Sequence, residues 1–327
     1  MSRVALLVGI NQYDYNNPLM SSVKDAKDMT VALSKHYDGS LNFTCNLLTC
    51  SHYPDKKITR EKLHNEIEEF FNQDGREIES AVFYFSGHGC ESNLGGYLMT
   101  QDSRNFVGGV SVNDILICAN NSSIPNIIII LDCCYAGHMG TIPSLKSEMI
   151  SLRNGITVLS SSNKHQTALE GLEGGLFTQA LLFALNGEGA DLTGKVDAIS
   201  MYVTACKFLQ IKYQTPTLKA SVVNFPIVRQ SKPRISEDDL GKITKLFNHP
   251  KQHKPLSRRY LKDSDEEADY KVEEFDLLKK FGDNQLIETP DRKPLEQTAE
   301  EALNCRLTTA GKFRFHQMRA PLIMKKK

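Results

Sequence analysis

The chain has 327 residues, 40% hydrophobic and 24% charged, a composition that supports a real apolar core and a length that usually divides into two domains. Lys and Arg together number 39, as do Asp and Glu, so no global field draws the protein to nucleic acid or to an anionic membrane surface. Residues 232–327 hold 21 basic and 17 acidic groups against 18 and 22 before them, and the Lys325-Lys326-Lys327 tail makes most of that excess.

Arg3–Asn11 is a near-continuous apolar run, the pattern of a strand buried on both faces of a parallel sheet. Val23–Tyr37 places Val23, Ala26, Met29 and Leu33 at helical spacing. Phe43–Cys50 reads as a second strand, and Thr59–Asn72 as a helix with Leu63, Ile67 and Phe70 in its apolar stripe. Ser80–Ser86 is a third strand, stopped by Gly87-His88-Gly89, and Leu94–Thr100 is a short hairpin arm after it. Ser111 caps a helix over Val112–Ala119. Asn126–Cys134 and Gly155–Ser160 are the fourth and fifth strands, Phe177–Leu185 and Val196–Leu209 are helices, and Thr217–Val223 is a sixth strand. The alternation predicts an α/β fold: a doubly wound, mostly parallel six-stranded sheet flanked by helices. In such sheets ligands bind beyond the carboxyl ends of the strands. The third strand ends at His88 and the fourth at Cys134, so both groups are expected on one edge.

Composition changes near Gln230. Residues 231–269 carry Pro233, Pro250, Pro255, a basic cluster and an acidic run, and read as a linker with a helix at about Glu237–Phe247. Residues 270–327 read as a small α+β domain: a helix over Tyr270–Phe281, a strand at Cys305–Leu307, and a last helix capped by Thr308 or Thr309, ahead of the basic tail. No apolar run reaches the ~20 residues that a membrane-spanning helix needs. No small-residue cleavage site follows Val4–Ile10, so a secretory leader is not expected. Eight cysteines without disulfide-framework or CxxC spacing imply reduced thiols and a cytoplasmic location.

A cysteine nucleophile needs a base to form thiolate and donors for the oxyanion. His88 lies between two glycines after an apolar strand, and Cys134 lies at a strand-to-loop junction where a thiol is accessible. Cys133 must point to the opposite face, so one of the two cysteines is buried.

With these residues the chain resembles the caspase-like peptidases, which include caspases, metacaspases and bacterial relatives. The resemblance spans Arg3 to about Arg229 and rests on five ordered features. They are Val8-Gly9-Ile10-Asn11, the turn from Leu19 to Asp25-Ala26, Phe85-Ser86-Gly87-His88-Gly89, Asp132-Cys133-Cys134-Tyr135-Ala136-Gly137, and Gln166, Ala168, Glu170 ahead of Gly175-Leu176-Phe177-Thr178. The resemblance implies a cysteine endopeptidase with a dyad of Cys134 and His88, and no third residue to orient the histidine. It implies an oxyanion hole from the N–H groups of Gly89 and Cys134. Asp132 and Asp25 match the positions where metacaspases keep carboxylates for a basic side chain, Ser86 matches the pocket hydroxyl, and Ser22 replaces a family cysteine. Cleavage of protein substrates after Arg or Lys is therefore expected. Family members often process themselves after the nucleophile, which makes Lys146 and Arg153 candidate autocleavage sites.

No cofactor is expected. Some metacaspases are activated by calcium, but Asp102 and Asp114 lie in no contiguous calcium-loop pattern. A zinc site from His88, Cys90 and Cys134 has the wrong spacing and ligand count. The stretch Cys305–Lys312 resembles the strand-to-helix step of winged-helix domains. With only Lys312, Arg314 and Arg319 ahead of the tail, the face is too sparsely basic for DNA, and docking of a protein activator or partner is expected. Bacterial relatives with appended modules imply a role in stress or antiviral signalling. The competing reading is a catalytically silent caspase-fold scaffold.

Overall fold

The apolar runs become strands because they can be buried on both faces at once. The computed structural model describes residues 2–51, 53, 56–73, 75–92, 95–104, 108–133, 151–161, 170–171, 174–213, 215–262 and 269–324, which fall into two compact units, 1–232 and 233–327. In the first unit β1 (Ser2–Gly9), β2 (Thr44–Thr49), β3 (Ile78–Ser86), β4 (Asn126–Asp132), β5 (Ile156–Ser160) and β6 (Thr217–Ser221) form one sheet in the order β6-β5-β4-β3-β1-β2. All pairs are parallel except β6 with β5.

One face of the sheet presents Leu6, Val8, Phe83, Phe85, Ile129 and Leu131 to α2 (Arg60–Phe71) and α3 (Val112–Asn121). The other presents Leu7, Val82, Tyr84, Ile128 and Ile130 to α1 (Ser22–Ser34), α4 (Leu176–Phe183) and α5 (Ala198–Tyr213). The strict alternation along β3 and β4 divides these residues between the layers. The hydroxyls of Thr59 and Ser111 accept the N–H groups of Lys62 (3.2 Å) and Asp114 (3.4 Å), which starts α2 and α3 where the sequence predicts.

Several boundaries differ from the sequence reading. The helix expected from Val196 begins at Ala198, because Lys195–Asp197 pairs with Ile227–Gln230 as a short antiparallel ribbon. After Phe183 the helix widens into a π-helical turn over Ala184–Glu188, where Gly187 takes φ 130°.

Register levels the carboxyl ends of the central strands. Gly9 stands opposite Ser86, and Ser86 opposite Asp132. The ladder runs one step further, with the Gly87 N–H on the Asp132 carbonyl at 3.3 Å. Gly9 also sets how close α1 can come: a Cβ there would lie 2.5 Å from the Ser22 carbonyl oxygen and 2.8 Å from the Ala26 Cβ. The Asn11 side chain then takes the Val23 N–H at 2.9 Å and holds the first turn of α1 over the sheet edge.

The second unit corrects the boundaries expected for the linker. Residues 233–262 do not connect two domains but belong to the second one. α6 (Glu237–Gly241) and α7 (Ile243–Leu246) break at Lys242 and bury Leu240, Ile243 and Leu246 at helical spacing. β7 (His253–Pro255) joins β8 (Ile287–Glu288) and β9 (Asn304–Leu307) in an antiparallel sheet of order β7-β9-β8. Pro255 suggested a linker, but β7 is an edge strand, where a proline's missing N–H costs no ladder bond. α8 (Asp269–Asp283), α9 (Leu295–Glu300) and α10 (Thr309–Met324) complete the unit, whose core includes Phe247, Leu278, Phe281, Leu307 and Phe315. Thr308 caps α10, its hydroxyl accepting the Gly311 N–H at 3.1 Å.

Gly9→Ala should force α1 off the sheet edge and cost about 1–3 kcal/mol, the range for overpacking a filled core. Urea unfolding should show a lower midpoint at unchanged slope, and an unchanged midpoint would show that α1 does not need this close approach.

Candidate active site

At the level carboxyl ends of β3 and β4, two carboxylates meet under the first turn of α4. Asp132 ends β4 and Asp25 lies in the first turn of α1; they are only 6% and 2% exposed. Asp25 accepts the Gly175 N–H at 3.1 and 3.2 Å and the Ser86 hydroxyl at 3.5 Å. Asp132 accepts the Thr178 hydroxyl at 2.7 Å and the Thr178 N–H at 3.3 Å. A Cβ placed on Gly175 would stand 2.6 Å from one Asp132 oxygen and 3.1 Å from one Asp25 oxygen, so the two acids flank the same point. Glycine at 175 leaves room for both.

Helix N–H groups and the positive end of α4 favour negative charge here, but water is scarce and the charges are alike. Burial first, and then the Asp132 charge, push the Asp25 carboxyl up to about 7, against the opposing effects of the Gly175 N–H, Ser21 and Lys24. Tyr84, fully buried beneath the pair, has its phenol pushed well up by burial and by both carboxylates, and its hydroxyl lies 2.6 Å from that of Thr178. The sequence-predicted pocket residues Asp25, Ser86 and Asp132 are thus brought together. Ser22 is buried beside them in α1.

His88 leaves the same edge one residue past the Gly87–Asp132 bond, half-buried and bracketed by two groups absent from the sequence reading. Its Nε2 is 2.8 Å from the Asn17 carbonyl. A carbonyl only accepts, so Nε2 carries the proton and Nδ1 is left as the basic nitrogen. Its backbone N–H donates to the Tyr13 hydroxyl at 2.7 Å, and the Tyr13 ring lies 4.7 Å from the imidazole. That hydroxyl occupies the space of a Gly87 side chain, 2.8 Å from where its Cβ would be, so a larger residue at 87 would have to displace Tyr13. In the hairpin that follows, Met99 donates to the His88 carbonyl, making Gly89 and Leu98 a non-hydrogen-bonded pair and turning the Gly89 N–H away from the ladder.

Cys134 and Lys146 lie outside the described residues. Cys133, immediately before, is 1% exposed and packs in the α2–α3 layer with Leu131 and Phe85. Arg153 lies at the amino end of β5, opposite the edge of Asp132 and about 16 Å of strand away. Its guanidinium donates to the carbonyls of Ala119, Ile124 and Asn154, an anchoring role. Asp102 accepts the Arg60 N–H at 3.0 Å and the Thr100 hydroxyl at 2.6 Å, a turn-building role at the start of α2. Among the described residues no group of three or more His, Cys, Asp and Glu is placed to hold a metal, and no helix is long and apolar enough to cross a membrane.

A sequence model of the caspase domain matches residues 2–225. The chain belongs to the caspase domain family. Its fold is similar to solved structures of low sequence identity. Caspase-1 from Spodoptera frugiperda superposes with a TM-score of 0.52 at 13% identity, over 70% of this chain and 90% of that one. A protein from Geobacter sulfurreducens gives 0.51 at 15% identity, over 72% and 99%. Among curated protein sequences none matches significantly. The caspase domain match thus ends close to the unit boundary at residue 232, and residues 233–327 lie outside the matched range.

The buried acid pair predicts a stability signature. In the unfolded chain the Asp25 carboxyl titrates near 4, whereas in the folded protein it titrates at about 7. Between those values the folded state holds a proton that the unfolded chain has lost. The stabilising contribution is full below pH ~4 and is lost as pH rises through 7. Asp25→Asn should therefore gain melting temperature relative to wild type between pH 5 and pH 8. A difference that stays constant over that range would show that Asp25 does not titrate there.

Proposed function

We propose that this caspase domain is an active cysteine endopeptidase in which Cys134 is the nucleophile, His88 its base, and the pocket around Asp25 and Asp132 the site for an Arg or Lys side chain before the cut. The observation that carries the reading is the pair of nearly inaccessible carboxylates on the edge from which His88 emerges. Two adjacent carboxylates in a water-poor pocket are costly unless a cation enters between them. A guanidinium brings five donors in a planar fork and satisfies both.

In this reading the Nδ1 of His88 takes the Cys134 proton while Nε2 stays on the Asn17 carbonyl. The thiolate attacks the carbonyl carbon before the scissile bond, and the oxyanion is received by the N–H groups of Gly89 and Cys134. The imidazolium returns the proton to the leaving amine as the C–N bond breaks. Water, deprotonated by the same nitrogen, then hydrolyses the thioester. The Asn17 carbonyl does the orienting that a side chain performs in a triad. Self-processing fits Lys146 better than Arg153, whose cleavage would first require its three carbonyl bonds to open.

Residues 233–327 serve in this proposal as a docking module for a protein activator or partner in stress or antiviral signalling. Support comes from surface charges that alternate in sign rather than forming a basic face. Lys280 pairs with Asp239, Lys279 with Glu296, Lys293 with Glu301 and Arg306 with Glu288.

Fluorogenic peptides differing only in the residue before the cut, assayed with and without calcium, test the peptidase reading. Turnover is expected after Arg and Lys, with loss of 100-fold or more in Asp132→Asn and of all activity in Cys134→Ala. Turnover only after Asp would overturn the pocket assignment, and no turnover of any peptide would favour the scaffold.

A further inference from the structure

The two carboxylates are held differently. Asp132 receives a short 2.7 Å hydroxyl bond and an N–H from one residue, Thr178, in the first turn of α4. A threonine hydroxyl has one hydrogen, and an ionised carboxylate cannot donate, so that hydrogen points at Asp132. Tyr84 must then donate its own hydrogen to the Thr178 oxygen, 2.6 Å away. The result is a directed chain, Tyr84 to Thr178 to Asp132, in which every donor aims toward Asp132. Thr178 is fully buried, and so is Tyr84. Asp25 accepts the Ser21 side chain as well, but its contacts from the Gly175 N–H are 3.1 and 3.2 Å and its Ser86 contact is 3.5 Å, all longer than the Thr178 hydroxyl bond to Asp132.

The charged and titratable groups around Asp25 do not even this out. On its own helix, Lys24 holds Asp28 at 2.7 Å, and Lys27 is exposed. β4 contributes Asp132 and β3 contributes Tyr84. α4 carries no titratable residue, and in β1 and β2 only Arg3 and Cys45 titrate, both toward the amino ends.

We propose that Thr178 and Tyr84 are positioning residues of the substrate pocket, holding Asp132 as its fixed anion and leaving Asp25 to release a proton when a cationic side chain enters and to take it back when that side chain leaves. This inference rests on the peptidase reading above and adds its specificity mechanism. Where Asp25 is protonated, a bound cation displaces its proton to the buffer and net charge in the pocket is conserved; where Asp25 is already ionised, the cation enters without proton release. Discrimination for a charged over a neutral side chain then rises with pH through the range where Asp25 titrates. Burial and the Asp132 charge put that range near 7. Below it the pocket holds one negative charge, and above it two.

The test compares two coumarin peptide amides that differ only in arginine or citrulline, its uncharged isostere, before the cut. The ratio of their kcat/KM values cancels the titration of Cys134 and His88, which act equally on both. In wild type the ratio should rise about tenfold from pH 6 to pH 8. Thr178→Val should lower the ratio at pH 8 about tenfold and move its midpoint to higher pH, and Thr178→Ser should restore both. Tyr84→Phe should act in the same direction with smaller amplitude, and it carries the readout if Thr178→Val does not fold. A purely structural role for Thr178 would change both peptides alike and leave the ratio untouched. A pH-independent ratio in an active wild-type enzyme, or variant ratios superimposable on wild type, would overturn the inference alone. Absence of turnover for both peptides would overturn the peptidase reading and this inference with it.

Discussion

Two like charges buried side by side are the constraint around which this caspase domain is arranged. Asp25 comes from the first turn of α1 and Asp132 from the last residue of β4, more than a hundred positions later in the chain. Three close approaches shape the edge where they meet. α1 packs on the sheet edge only because Gly9 has no side chain, α4 reaches the pair only because Gly175 has none, and His88 leaves β3 beside Tyr13 only because Gly87 has none. Each glycine marks a place where another group fills the volume of a methyl: the Ser22 carbonyl at Gly9, the Tyr13 hydroxyl at Gly87 and the carboxylate oxygens at Gly175. The helix dipole of α4 and the N–H groups of Gly175 and Thr178 offset part of the repulsion, and the rest remains as the raised titration of Asp25.

Much of this was readable from the chain. The six apolar runs, their alternation with helices and the shared edge of His88 and the β4 terminus follow from period and punctuation alone. The pocket acids were legible only through resemblance, since an aspartate in the first turn of a helix is ordinarily a favourable dipole contact. Three features were hidden for definite reasons. The Asn17 carbonyl that orients His88 is a backbone atom with no residue-type signal, although Pro18 after it restricts Asn17 to extended backbone. Tyr13 and Thr178 act through hydroxyls whose partners lie 75 and 46 residues away. Prolines and charges give residues 231–269 the composition of a linker, but the helical spacing of Leu240, Ile243 and Leu246 buries them in the second unit, to which residues 233–262 belong.

The histidine illustrates how a backbone atom can replace a side chain. The loop after β1 that carries Asn17 is pinned at several points. The Asn11 carbonyl accepts the Leu19 N–H at 2.8 Å, its side chain donates to the Met20 carbonyl at 3.2 Å, and the Asp14 N–H bonds the Gln101 carbonyl at 2.8 Å. A carbonyl held this firmly fixes the imidazole tautomer without adding a charge. That matters beside two buried carboxylates, where a third acid would raise the electrostatic cost further. The fold is shared with solved structures at only 13–15% identity.

The central claim is that the paired acids select a cationic side chain for the chemistry of Cys134 and His88. Peptidyl chloromethylketones ending in arginine or in aspartate, followed by peptide mass mapping, test it most directly. The account predicts covalent labelling of Cys134 by the arginyl reagent alone, with that labelling lost in Asp132→Asn. Labelling of Cys134 by the aspartyl reagent, or arginyl labelling undiminished by Asp132→Asn, would contradict it.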